Sequence, residues 1–387
     1  MKKNRIFIIC TITIIFIFIP QLSFAETSST EQILKSQEKQ FGISTFIKEA
    51  QKYSNDAFLD FEVKELFDSA ITGKVDNKSF LNKVLSLFGS NFKNTLKTAV
   101  GILVIILMHS VLKTFAEDLN NSEVAKIIYY VQYILIVTII INSFSDIFKT
   151  VLDTINSLTG FANLLIPLLI TLMTFTGSIV TSSIVQPILL FLIQFIGKLI
   201  SDLVMPVVSI IVAISIVSKI SERIQAEKIS KFMKSSVIWF LGVILTIFVG
   251  VLSLEGTLTS SIDGITAKTA KAAVSNVIPI VGKILGDGVD AILGCGVVLK
   301  NAVGMVGVII IIGICAIPII KLITLSVMYS LLSAIAQPIA DVKIVRLLEE
   351  FGGIFKLLLA ILSSVSFLFI IGTTLVVKIS NSGMMYR

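Results

Sequence analysis

The sequence predicts an all-α, polytopic membrane protein, and three observations predict it. The chain is far more apolar than a soluble domain: 55% of its 387 residues are hydrophobic and 15% are charged, against about 25% charged in ordinary soluble proteins. Apolar windows of about 18 residues or more recur with almost no charge, the length at which a helix crosses the hydrocarbon layer. These windows are continuous rather than alternating, which argues against a transmembrane barrel. About nine transmembrane or re-entrant helices, within a range of about seven to eleven, fit the pattern. The net charge of +7 fits basic residues retained at cytoplasmic helix ends. It gives no reason to expect nucleic acid as a partner.

Residues 1–25 read as a signal peptide. Lys2, Lys3 and Arg5 precede the apolar run Ile6–Ile19, and Ser23-Phe24-Ala25 is a small-x-small cleavage site. An uncleaved anchor is the alternative, and either one delivers the next segment outside the cytoplasmic membrane. Residues 26–97 form that exported segment. Apolar residues recur in it at helical spacing, Leu59, Val63, Leu66, Phe67 and Ala70, then Leu81, Val84, Leu85 and Phe88. Three short helices make a small core at best, so the segment packs on the membrane part or offers a docking surface to extracytoplasmic partners.

Residues 98–387 form the membrane domain. Predicted spans cover Thr98–Leu112, Ile127–Ile141, Phe161–Val180, Ile184–Ile200, Leu203–Val217, Ser236–Leu254, Val297–Ile317, Leu322–Ile339 and Leu357–Val377. After the fifth comes the most basic loop of the domain, with Lys219, Arg223, Lys228, Lys231 and Lys234 against Glu222 and Glu227. With the N-terminus outside, this loop faces the cytoplasm, as the positive-inside rule requires. It is a candidate docking loop. The same count leaves the C-terminus in the cytoplasm.

The region 257–296, between two apolar stretches, carries more charge and glycine than its surroundings. Leu258, Ile262 and Ile265 share a helical face away from Lys268 and Lys271, as in an amphipathic surface helix. Val277–Leu285 is too short to cross a bilayer, and Gly282 and Gly286 are spaced for close helix contact. A re-entrant or half-length helix fits that pattern. Pro279, Gly282, Lys283, Gly286, Asp287, Asp290 and Lys300 are thus candidates for a helix seam or the lining of a conduit; close packing and cavity lining both remain open. Lys300 begins a predicted span and can snorkel to the headgroups.

A sequence echo runs through the membrane domain. Ile166-Pro167 and Gln186-Pro187 match Ile317-Pro318 and Gln337-Pro338 at a constant offset, in a chain with 7 prolines. Segments 161–190 and 312–341 would then form an inverted repeat of the kind transporters use, with Pro167, Gln186, Pro187, Pro318, Gln337 and Pro338 at helix breaks. Coincidence in a low-diversity apolar sequence is the competing explanation.

No catalytic constellation is present. The sequence has no Walker A loop, HExxH or GxSxG motif, and its 1 histidine and 3 cysteines form no cluster for a metal. The reading is therefore a non-enzyme without a cofactor, and any energy comes from a gradient or a partner.

The run EGTLTSSIDGITAKTAKAAVSNVIPIVGKILGDGVDAILGCGVVLKNAVG, Glu255 to Gly304, followed by Ala336-Gln337-Pro338, resembles the stage III sporulation protein AE family of endospore-forming bacteria. The resemblance extends over the whole length. It implies a subunit of the mother-cell complex that joins the forespore across the intermembrane space, acting as a channel or secretion apparatus needed for forespore development. The implied partners are other stage III sporulation membrane proteins, including a secretion-type ATPase and ring-forming subunits, together with membrane lipids. The implied place is the mother-cell membrane around the forespore. The family supplies no catalytic residue. Rivals from other classes are a self-sufficient secondary transporter and a membrane scaffold without a conduit.

Overall fold

The computed structural model describes residues 29–56, 62–73, 96–108, 110–112, 115, 122–220, 227–277 and 281–382. Among these residues the structure is helical, with short turns and no strand. The predicted signal peptide and the helical pattern at 81–88 lie outside the described residues.

Three short amphipathic helices come first: α1 (Ser29–Gln40), α2 (Ile43–Asp56) and α3 (Val63–Thr72). Ile43, Phe46 and Ala50 of α2 and Val63, Phe67 and Ala70 of α3 recur every three or four residues and are buried. Lys48, Glu49, Lys64 and Glu65 fall on the opposite faces and are exposed. Residues 96–108 form a further apolar helical stretch.

The rest of the bundle is built from very long helices. α4 (Ser122–Phe175) has 54 residues. α5 (Ile179–Leu199) runs through a π-turn at Ile200–Val204 into α6 (Met205–Ile220). α7 (Glu227–Val277) has 51 residues, α8 (Val281–Ala336) has 56, and α9 (Val342–Ser382) has 41. At 1.5 Å per residue, α4 or α8 would extend about 80 Å if straight. α8 and α9 form an antiparallel pair and are the most buried of the long helices. α4, α5, α6 and α7 pack around them.

Among the described residues, five helices are long and apolar enough to cross a membrane: Lys126–Phe175, Ile179–Lys219, Glu227–Leu254, Ala291–Ala336 and Val342–Lys378. They do not confirm the expected count of about nine. The second and third predicted spans lie on one helix, α4, as do the seventh and eighth on α8. The fourth and fifth are joined through the π-turn. A polar stretch was read as a loop in each case, but helix propensity and packing carry the backbone through it. The polar segment after Asp341 is another instance, since α9 begins at Val342. Val277–Leu285, expected as a half-length helix, instead spans the end of α7 at Val277 and the start of the long α8 at Val281.

The interruptions have local causes. Pro206 has no N–H and its ring crowds the carbonyl four residues back, at Asp202. Widening the ladder at Ile200–Val204, where the Met205 N–H reaches the Ile200 carbonyl, accommodates it. Between α4 and α5 the chain reverses at Gly177, whose φ of 92° favours glycine.

The two segments of the echo, 161–190 and 312–341, turn at different places. The first segment turns between Phe175 and Ile179, while its counterpart stays helical to Ala336 and turns over residues 337–341. Pro167, Pro187 and Pro318 lie inside helices. Gln186 is likewise within α5, and only Gln337 and Pro338 fall at a helix end.

Candidate functional site

A cluster of polar side chains lies where α6, α7 and α9 converge, at the end of the bundle that carries the basic loop. Glu350 of α9 accepts bonds through one oxygen, Oε1, from Lys234 Nζ at 2.6 Å, Ser230 Oγ at 2.8 Å and Ser215 Oγ at 3.2 Å. The two serine hydroxyls are 3.2 Å apart. Ser230 and Lys234 are four residues apart on α7, so one helical face supplies both. Ser215 and Ser230 are buried, and the Lys234–Glu350 pair is largely shielded, with side chains 17% and 11% exposed.

A second set of charges adjoins it. Lys219 at the end of α6 pairs with Glu227 at the start of α7, 3.1 Å apart, and Lys231 meets the other oxygen of Glu227 at 2.9 Å. Lys219 is 7% exposed and Lys231 67%, so only the first resists screening by water. From α4, Tyr133 Oη donates to the Ile216 carbonyl at 2.6 Å, and Tyr129 Oη to that of Lys219 at 3.3 Å. Lys343 of α9 stands over the Tyr129 ring, 5.6 Å from its centroid. Four helices are tied together at this end. These bonds fix the helices and present charge.

The predicted docking residues are therefore divided. Lys219 and Lys234 turn inward to acidic partners, Lys228 and Lys231 face outward, and Arg223 lies outside the described residues. Of the predicted seam, Pro279 lies outside the described residues. Gly282, Lys283, Gly286, Asp287 and Asp290 lie on the opening turns of α8, with their side chains outside the described set. Lys300 is fully buried in the bundle rather than snorkelling to an interface.

Close glycine contacts do occur on α8, further along. A Cβ at Gly296 would meet Phe175 at 2.8 Å, one at Gly307 would meet Leu165 at 2.5 Å, and one at Gly304 would collide with Val377. These glycines let α4 and α9 approach the α8 backbone. The sequence reading missed this seam, although glycines at 296, 304 and 307 recur at near-helical spacing. It also missed Ser215, Ser230 and Glu350; the signal was Ser230 and Lys234 on one face, opposite an acid within an apolar helix.

Among the described residues, long apolar helices around a polar junction define an all-helical arrangement with helices able to cross a membrane. The chain belongs to the stage III sporulation protein AE family, whose family model matches residues 61–380. It is 32% identical over 289 residues to the stage III sporulation protein AE of Bacillus subtilis (strain 168), covering 74% of this chain and 72% of that one. Its role is accordingly related to sporulation. No solved structure matches it.

Proposed function

We propose that the chain is a non-enzymatic, multi-pass membrane subunit of the complex linking mother cell and forespore, and that it contributes to a gated conduit there. The family match over residues 61–380 carries this reading. The helices support it: five can cross a bilayer, and α4, α6, α7 and α9 are tied at one end by buried polar bonds. That end, with Lys228 and Lys231 exposed, would face the mother-cell cytoplasm and an ATPase partner. α1–α3 would face the intermembrane space and the ring-forming subunits. The transporter reading loses its support, because it rested on a repeat whose two segments turn at different places.

The test is purification of the tagged full-length chain from the membranes of sporulating cells under mild detergent. A secretion-type ATPase and ring-forming sporulation proteins are expected to co-purify. Recovery of the chain free of both, from cells in which both are present, would contradict the proposal.

A further inference from the structure

We infer that the bilayer encloses only the half of the bundle at the Lys219–Glu350 end, and that the other half stands in water on the side of α1–α3. The inference rests on the reading of the chain as a membrane protein. It starts from a mismatch of lengths. The apolar run Ile179–Lys219 has 41 residues, about 60 Å of helix, twice the roughly 30 Å hydrocarbon layer. A helix that continues without reversing cannot use both halves as spans.

The outward faces of two elements, α4 and the stretch from Leu203 to Val217, change from apolar to charged along their length, whereas α5 keeps Ile179, Ile184, Phe191 and Phe195 exposed. On α4, Ile127, Ile134 and Ile141 are exposed and apolar, and then Asp146, Lys149 and Asp153 are exposed and charged. Leu203 in the π-turn and Ile210 and Val217 on α6 are exposed, and the outward charges of Asp202 and Lys198 come just before them. α4 and α5 meet beside this level, where a Cβ at Gly197 would lie 2.8 Å from Thr159 Oγ1. Ile127 to Asp146 and Asp202 to Lys219 each correspond to about 26–28 Å of helix, close to the hydrocarbon thickness. The two rims are thus charged and the belt between them is apolar. Arg346, Glu349 and Lys356 give α9 a polar outer face in this same half, which marks a side not covered by acyl chains.

Two further features belong to water rather than lipid, and both fall in the other half. α2 packs Tyr53 on Phe161, ring centroids 5.5 Å apart, and Phe41 packs on Phe175 at 4.7 Å. Gln37 Nε2 donates to the Ile292 carbonyl at 3.0 Å. The far ends of α4 and α8 are therefore sheathed by helices whose outer faces carry Lys35, Lys39, Lys48, Glu49 and Lys52. A charged sheath cannot lie in hydrocarbon without large cost. The C-terminal part of α7 and the first turns of α8 carry Glu255, Asp263, Lys268, Lys271, Asp287 and Asp290, a charge content closer to that of soluble helices than of membrane spans.

The test uses the full-length protein in phosphatidylglycerol–phosphatidylethanolamine nanodiscs, with the native cysteines replaced by alanine and one nitroxide-labelled cysteine at a time. Ile134→Cys and Ile210→Cys should be relaxed by oxygen and shielded from a water-soluble nickel chelate. Asn163→Cys and Ser183→Cys, both exposed in the far half, should show the reverse. Oxygen-dominated relaxation at 163 and 183, or chelate access at 134 and 210, would overturn the inference. As a check independent of substitution, electron microscopy of unlabelled particles should show protein projecting from one face of the disc. A bundle level with both faces would overturn it too. Failure to enter nanodiscs at all would count against the membrane reading itself.

Discussion

The two ends of the bundle are held by different chemistry. At the α6–α7–α9 end the contacts are charged and hydroxylic, converging on Glu350 and Glu227. At the opposite end, Phe41 and Tyr53 grip α4 through rings, with Phe41 on Phe175 and Tyr53 on Phe161, and Gln37 of α1 bonds the Ile292 carbonyl of α8. A shielded carboxylate tolerates few alternatives, because each partner lost leaves charge without compensation. Ring contacts are individually weaker and fail gradually. The first end is therefore a rigid junction, and the second a sheath that substitutions can loosen without dismantling the bundle.

The largest effect is expected at the junction. Glu350→Ala leaves Lys234 without its carboxylate and should cost about 3–5 kcal/mol, read as a fall in thermal unfolding temperature in detergent. The double replacement Lys234→Met with Glu350→Leu should cost less than that single change, because no charge is left uncompensated. A double variant as unstable as Glu350→Ala would show that packing, not charge, holds this end.

The α8 seam should come next. Gly307→Leu forces a side chain towards Leu165 and should cost about 1–3 kcal/mol. Gly242→Leu, at a position where a Cβ has open space, should leave the unfolding temperature nearly unchanged. Equal losses would mean that the seam is no tighter than the surface.

At the sheath, Tyr53→Ala removes one ring contact, worth about 0.5–1.5 kcal/mol beyond its buried area. Limited proteolysis should then release α1–α3 sooner while the unfolding temperature of the long helices holds. The smallest effect is expected for Lys231→Ala, since an exposed pair contributes about 0–1 kcal/mol. A loss matching Glu350→Ala would erase the contrast between buried and exposed charge.

The helical, apolar character of this protein was legible in its sequence because hydropathy is a local property. Long uncharged windows, and the three-to-four spacing of Ile43, Phe46 and Ala50, follow from what each segment must bury. Helix ends were harder to read. Polar residues such as Asp146 and Lys149 look like a loop between spans, yet nothing in them breaks a helix, and α4 runs through. Prolines misled in the same way: Pro167, Pro187 and Pro318 sit inside packed helices whose neighbours compensate for a missing bond. The junction was the least legible part, because Ser215, Ser230 and Glu350 are far apart in the chain and become a site only when three helices converge. A glycine seam was expected at Gly282 and Gly286, whose surroundings lie outside the described set; close contacts of the same kind are at Gly296, Gly304 and Gly307, where ring and branched side chains of α4 and α9 arrive.

The central claim, a membrane subunit on which the forespore depends, is tested most directly by deleting the coding sequence in its spore-forming host. The readout is a late forespore-specific transcriptional reporter, with the intact gene restored elsewhere as control. The account predicts that reporter activity collapses in the deletion and returns with the restored gene. Full reporter activity in the deletion strain would contradict it.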